Sequence, residues 1–346
     1  MSASTNPLLV LDHVSRTYQV KRQTIKAVDD LSLTINESEI VCLVGESGCG
    51  KTTTGKMIAG LTAPSAGTIT FNGMNIGALG KSDYNKYRLA VQMVHQDPYA
   101  SLNPAHTIYD IIAAPLQHHR LTNGEAETRD RVRELLNTVD LTPPDDFLEK
   151  YPHQLSGGQR QRVSVARALT VNPKFIVADE AVSAVDVSIR ISMLRMLTRL
   201  REKMGVAFLF ITHDLALAKY FAWEGRIGVM YLGRLVELGP ARQVVEHPQH
   251  AYTQVLLSAI PEADPELTRT KPRLELRSPD VPSLLRLPSG CAFHPRCPAF
   301  EGGLCETAVP TLTDLGDGTA VACHPVVRKK LSAVSDQLGT KLTADR

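Results

Sequence analysis

The feature that most constrains this chain is GESGCGKT, Gly45 to Thr52. It fits G-x-x-x-x-G-K-[ST], follows the apolar run EIVCLV, and opens a segment with helical character. That order of strand, glycine-rich turn and helix is the context a phosphate cradle needs. Gly45, Gly48 and Gly50 let the backbone wrap closely, so that amide N–H groups can point at phosphate oxygens. The helix N-terminus adds positive potential. Glu46, Ser47 and Cys49 are the variable positions of the cradle, and Cys49 is given no chemistry of its own. Lys51 is placed to reach β- and γ-phosphates, Thr52 to offer its hydroxyl to Mg²⁺, and Thr53 continues the turn.

A chain of 346 residues has room for two or three domains. Its 43% hydrophobic and 21% charged residues match a globular protein, and a formal net charge of +2 predicts no strong grip on nucleic acid. No run reaches the roughly 18 apolar residues of a membrane helix, and the start reads as no secretory signal. A cytosolic setting follows as an expectation, in which disulfides are rare. The runs LLVLDHV, LSLTI and EIVCLV read as strands, and 64–73 as turn, strand, turn. Residues 106–141 read as helical, and FIVA (175–178) and VAFLFIT (206–212) as buried parallel strands. Between the last two, Val187, Arg190, Leu194, Leu197 and Leu200 recur at helical spacing, as in a helix with one core-facing side.

KFIVADE ends an apolar run on two carboxylates. At the C-terminal end of a strand beside the cradle, Asp179 would hold Mg²⁺ and Glu180 would act as general base on the attacking water. LSGGQ, Leu155 to Gln159, then runs into the helical stretch RQRVSVARAL. Ser156 and the amides of Gly157 and Gly158 form a second candidate anion nest at a helix start, with Gln159 beside them. One nucleotide needs one cradle, so a second nest suggests a nucleotide held by a partner chain.

With these motifs in place, the sequence resembles the ATP-binding cassette (ABC) family, in which two cassettes sandwich two ATP molecules head to tail. The resemblance implies further roles. Tyr18, in VSRTYQV, looks like the aromatic that stacks on adenine. Gln96, in MVHQDP, is similar to the glutamine that touches Mg²⁺ and the attacking water. SAVD, Ser183 to Asp186, resembles the loop that crosses the dimer interface, and His213 the histidine that contacts the γ-phosphate. Ala181 stands where much of the family has Pro, and SAVD replaces the commoner SALD; neither change removes a ligand or a base. The implied fold is α/β: a RecA-like P-loop ATPase core, an antiparallel β subdomain, a helical subdomain over about 100–170 and a C-terminal four-cysteine extension.

No membrane span is fused and only one cassette is present, so a pore and a second cassette would be separate chains. The short interval between cradle and signature argues against a chromosome-organising ATPase, and a P-loop small-molecule kinase would have no use for LSGGQ. HQDPYASLNP, YPHQLSGGQRQR, VMYLGRLVELGP and HPQHAYTQVLLSAIP, leading into GCAFHPRC, resemble the oligopeptide/dipeptide/nickel importer ATPases. The match is to the second ATPase subunit of the peptide systems in particular. It implies a heterodimer with a second ATPase subunit, two membrane permease subunits, an extracytoplasmic solute-binding protein and a place on the cytoplasmic face of the inner membrane. Nickel, glutathione or an opine-like compound are the alternative cargoes, and a soluble non-transport ATPase the alternative class.

The expected organisation is a nucleotide-binding domain over 8–260, a Pro-rich arm over 261–290, a four-cysteine module over 291–326 and a loose tail over 327–346. Cys291, Cys297, Cys305 and Cys323 follow C-x5-C-x7-C-x17-C. Disulfides, unrelated buried thiols and a metal-bound staple compete as readings of them, and a Pro- and Gly-rich segment suits the staple. The spacing lacks the C-x2-C pairs typical of zinc ribbons. The family resemblance implies a [4Fe–4S] cluster on the four thiolates, with Zn²⁺ as the alternative. His294 and His324 flank the cysteines and are expected outside the ligand set.

Overall fold

The computed structural model describes residues 7–20, 22–183, 185–260 and 274–332. The expected arm thus lies outside the described residues over 261–273 and the expected tail over 333–346; Ala184 of SAVD is outside them too. The described residues divide into two compact units, one holding 7–12, 33–41, 52–183 and 185–212, the other 13–20, 22–32, 42–51, 213–260 and 274–332.

The first unit is built on three parallel strands, Val91–Val94, Phe175–Asp179 and Ala207–Thr212. Phe175 stands level with Val91 on one side and Ala207 on the other. Every residue of the last two strands is buried, which is why they read as continuous apolar runs rather than as alternation. The helix Lys51–Ile58 comes so close to this layer that a Cβ at Gly55 would sit 2.8 Å from Val177 and 2.9 Å from Ile211. Helices fill the chain between the strands Val91–Val94 and Phe175–Asp179: Ile108–His118, Glu125–Thr138 and Gly157–Leu169, each with a buried apolar side. Thr107 caps the first and Ser156 the third in reciprocal capping boxes, which fix where those helices begin. The helix Val187–Met204 ends at Gly205, φ +68°, a left-handed stop. Its buried face is Met193, Leu194, Met196, Leu197 and Leu200. Val187, expected on that face, is 71% exposed instead, because it is the first helical residue and has no preceding turn to pack against.

The second unit carries an antiparallel meander of Arg226–Tyr231, Arg234–Pro240, Ala320–Val321 and Thr313–Asp314. The first two are joined by the two-residue turn Leu232–Gly233, both at positive φ, the arrangement whose twist suits a tight hairpin. Glu237 stands level with Val321, so the residues around the cysteines share a sheet with the strands that precede them. Residues 274–290 hold no helix or strand and are largely exposed or half-buried.

Candidate functional site

The cradle belongs to the second unit, and backbone contact dictates its glycines. A Cβ on Gly45 (φ +153°) would lie 2.2 Å from Met230 O, and one on Gly50 (φ +106°) 2.2 Å from Ala27 O. Gly48 (φ +79°) faces open space, so only its backbone conformation asks for glycine. The hairpin tip braces the loop from below: Gly233 N–H donates to Cys49 O at 2.9 Å. Lys51 is 5% exposed, and its ammonium donates to Gly45 O at 2.7 Å and Glu46 O at 2.9 Å. It is thus held inside the ring of the loop. Cys49 is buried, and burial raises its thiol pKa above the ordinary value, which agrees with a spacer role. Ser47 lies on the exposed rim. Tyr18 is 36% exposed near the end of the strand Leu9–Val20, with the Arg16 guanidinium 4.7 Å from its ring centre. One face of this expected adenine platform is therefore shared with a cation. His213 is exposed and directly precedes Asp214, which caps the helix Leu215–Phe221 through the N–H groups of Ala216 and Leu217.

Two pairs of expected residues meet in the first unit. Thr52 Oγ1 donates to Asp179 Oδ1 at 3.0 Å, which brings two of the three candidate Mg²⁺ ligands together. Asp179 is 4% exposed at the end of its buried strand, whereas Thr52 is exposed. Gln96 Nε2 donates to Glu180 Oε2 at 2.9 Å, which joins the expected glutamine to the expected base. Glu180 holds φ +46°, a conformation that costs a non-glycine residue about 1–3 kcal/mol. It is kept there by three hydrogen bonds. Its N–H donates to Ile211 O at 2.9 Å, and its carbonyl accepts from Ser183 N–H at 3.0 Å and Ser183 Oγ at 2.8 Å. Eight other described non-glycine residues, Asp30 and Asp140 among them, also hold positive φ. Thr53 is half-buried on the helix behind Thr52.

The LSGGQ segment opens its helix in the first unit as well. Ser156 Oγ accepts from Gln159 N–H at 3.3 Å and Gln159 Oε1 from Ser156 N–H at 2.9 Å. Gly157 is half-buried, while a Cβ on buried Gly158 would fall 2.6 Å from Ile189, so Gly158 is fixed by helix packing. Gln161 Nε2 donates to His95 O at 3.2 Å, tying this helix to the residue before Gln96. Asp186 is exposed and precedes the helix Val187–Met204 without a side-chain cap bond.

The four C-terminal cysteines converge in the second unit. Cys291, Cys297, Cys305 and Cys323 all line one cavity of about 20 Å³, together with Phe293, His294 and His324. None is in a disulfide. Burial pushes the thiols of Cys291 and Cys297 up to about 11 and raises that of Cys323. Such thiols stay protonated at neutral pH unless a metal takes the proton's place. His294 Nδ1 donates to Cys291 O at 3.0 Å and His324 Nε2 to Ala308 O at 2.8 Å, so each ring is oriented by a carbonyl. The four thiols share one lining and are the donor type a thiolate-bound centre takes. As placed, no group of three or more His, Cys, Asp or Glu among the described residues has a metal-binding arrangement.

The motifs left one contact of the cradle unseen. Arg296, between Cys291 and Cys297, donates through Nη1 to both carboxylate oxygens of Glu46, at 3.1 and 3.0 Å. Glu46 N–H donates to Tyr252 Oη at 2.9 Å. The signal that could have found it is an arginine set between metal-ligand-like cysteines in HPRC, where a structural linker has no need of charge.

Comparison with known proteins agrees with this geometry. Residues 28–183 match the ABC transporter family, and residues 236–305 the oligopeptide/dipeptide transporter C-terminal region. The oligopeptide transport ATP-binding protein OppF of Bacillus subtilis is 47% identical over 270 residues, 78% of this chain and 87% of OppF. YkfD of the same organism, provisionally named an oligopeptide transport ATP-binding protein, is 44% identical over 319 residues, 92% of this chain and 95% of YkfD. Among solved structures, the dimeric ATP-binding cassette MJ0796 bound to ADP and Pi matches with a TM-score of 0.61 at 30% identity. That match covers 68% of this chain and 99% of the cassette.

Proposed function

This chain belongs to the ABC transporter family, in its oligopeptide/dipeptide branch, and from that premise we propose that it is the ATP-hydrolysing subunit of a peptide importer. The observation that carries the transport reading is that similarity to oligopeptide transport proteins extends through residues 236–305 as well as the cassette. The cassette alone would serve many tasks.

In this reading the amides of residues 45–52 wrap the ATP phosphates, and Lys51 exchanges its contacts with Gly45 O and Glu46 O for phosphate oxygens. Thr52 and Asp179 hold Mg²⁺, which neutralises charge on the phosphates when bound. Glu180 orients the attacking water and takes its proton, with Gln96 fixing the carboxylate and Mg²⁺ side of the site. His213 contacts the γ-phosphate and Tyr18 the adenine. Ser156, Gly157, Gly158 and Gln159 serve the nucleotide of a partner cassette, and Asp186 lies at that same interface. ATP binds only the closed pair well and so shifts the equilibrium toward it; hydrolysis releases it.

The partners are a second, different ATPase subunit, two permease subunits and a solute-binding protein. The chain then works peripherally at the cytoplasmic face of the inner membrane. No helix among the described residues is long and apolar enough to cross a membrane. The four thiols that line one cavity support a [4Fe–4S] cluster held by Cys291, Cys297, Cys305 and Cys323. Oxygen-free purification should give brown protein with iron and sulfide in equal amounts, lost in Cys297→Ser; colourless protein with stoichiometric zinc would contradict it.

The function itself is tested by isolating the intact complex and rebuilding it in lipid vesicles. Peptide uptake that requires ATP and the solute-binding protein is the expected result. Hydrolysis by a chain that co-purifies with no hydrophobic subunit would overturn the transport reading.

A further inference from the structure

Glu46 poses a physical problem. It puts a negative charge into a loop whose amides are arranged to receive an anion. Its side chain is 31% exposed, so solvent screens it only in part. The answer lies 250 positions further along the chain. Arg296, with a side chain 6% exposed, meets both oxygens of Glu46, and its Nη1 also lies 3.3 Å from Tyr231 Oη. Tyr252 Oη accepts the Glu46 N–H at 2.9 Å, so backbone and carboxylate are both held to one side.

The position of Arg296 is set by the cysteine turn. Within Cys291–Cys297, His294 N–H donates to Cys291 O at 2.9 Å, Arg296 N–H to Phe293 O at 3.0 Å and Cys297 N–H to His294 O at 3.3 Å. Cys291 N–H donates to Cys305 O at 2.9 Å, which ties the turn to the third cysteine. Phe293, 1% exposed, anchors the turn against Tyr231 and Tyr252, with ring centres 5.2 and 5.3 Å away. A turn with cysteines at both ends and an arginine aimed at the cradle gives the cysteines mechanical access to the nucleotide site. All these residues belong to one unit.

We propose that Arg296 is a positioning residue of the ATP cradle: it neutralises and withdraws Glu46, and the Cys291–Cys297 turn thereby sets ATP affinity. The inference rests on the ATPase reading above and adds a route by which the state of the cysteines reaches it. Without Arg296 the free carboxylate repels the triphosphate. Two unit charges at contact distance in a water-like medium correspond to roughly five- to tenfold in an equilibrium constant. The repulsion fades with ionic strength, because the loop is partly solvated.

The test uses the full chain and two readouts: equilibrium binding of a fluorescent ATP analogue, and steady-state hydrolysis. Arg296→Met should weaken binding and raise KM about five- to tenfold at low salt, with kcat within about twofold. Glu46→Gln removes the offending charge, so the Arg296→Met/Glu46→Gln double variant should recover most of the affinity. Cys297→Ser should weaken binding in the native background and add nothing to Arg296→Met, since both act through one link. If Arg296→Met does not fold, Arg296→Lys replaces it, keeping the charge but losing the fork, with a smaller shift that Glu46→Gln again suppresses. Unchanged affinity in the Arg296 variants, or a double variant no better than the single, overturns the proposal. A role in folding alone would lower the active fraction without moving KM and would not be rescued. Failure of the native chain to bind the analogue at all would strike the ATPase reading instead.

Discussion

The cradle loop 45–51 and the Cys291–Cys297 turn are both short loops of one unit, but they are specified in opposite ways. The cradle is a backbone device. Gly45 and Gly50 are required because carbonyls of Met230 and Ala27 stand where a Cβ would be, and the Lys51 side chain is held inside the loop by backbone carbonyls. The turn is a side-chain device, in which two terminal thiols, one buried phenylalanine and one buried arginine fix the geometry. The contrast teaches that the two should fail by opposite changes, the cradle when an atom is added and the turn when atoms are taken away.

The largest expected effect is on the turn. Phe293→Ala removes a ring packed against Tyr231 and Tyr252 and should lower stability by about 3–5 kcal/mol, seen as an earlier denaturant midpoint. Gly50→Ala adds a single carbon against Ala27 O at positive φ and should cost about 3 kcal/mol or abolish nucleotide binding. If adding that carbon proved harmless, the backbone account of the cradle would be broken.

A pH series sharpens the comparison next. His250 is fully buried, accepts the Tyr252 N–H at Nδ1, and burial lowers its pKa from 6.5 to about 4. Between those values the unfolded chain binds a proton that the folded chain refuses. His250 therefore makes stability fall as pH drops from 6.5 to 4, by about 1.4 kcal/mol per pH unit. Buried Glu237, whose pKa burial raises, acts in the opposite sense nearby. The difference between native and His250→Asn unfolding curves isolates the histidine, and the variant should lose less stability on acidification. The smallest effect belongs to Gly48→Ala, which has open space and only backbone strain, about 1–2 kcal/mol.

The same contrast explains what could be read from the sequence. The cradle, the Asp179–Glu180 strand end and the signature segment are contiguous, so the Thr52–Asp179 and Gln96–Glu180 meetings follow once the order of strands is assumed. The buried strands were legible because continuous apolar runs have few other homes. Val187 was misplaced because periodicity says nothing about a helix's first turn. The Arg296–Glu46 pair had only half a signal: the charge in HPRC marks Arg296, but nothing local names a partner 250 positions away. Nor does any pattern announce that Gly158 answers to Ile189, or that the Leu232–Gly233 turn braces Cys49 O. Long-range fits of this kind come from packing, which a motif does not encode.

The central claim is that Glu180, strained at φ +46° and joined to Gln96, is the base of an ATP-hydrolysing site. Its most direct test is a single-turnover measurement on Glu180→Gln beside the native chain. The account predicts ATP binding retained and hydrolysis lowered by roughly 10²–10⁴-fold, with ATP trapped between paired cassettes. Hydrolysis at the native rate would contradict it.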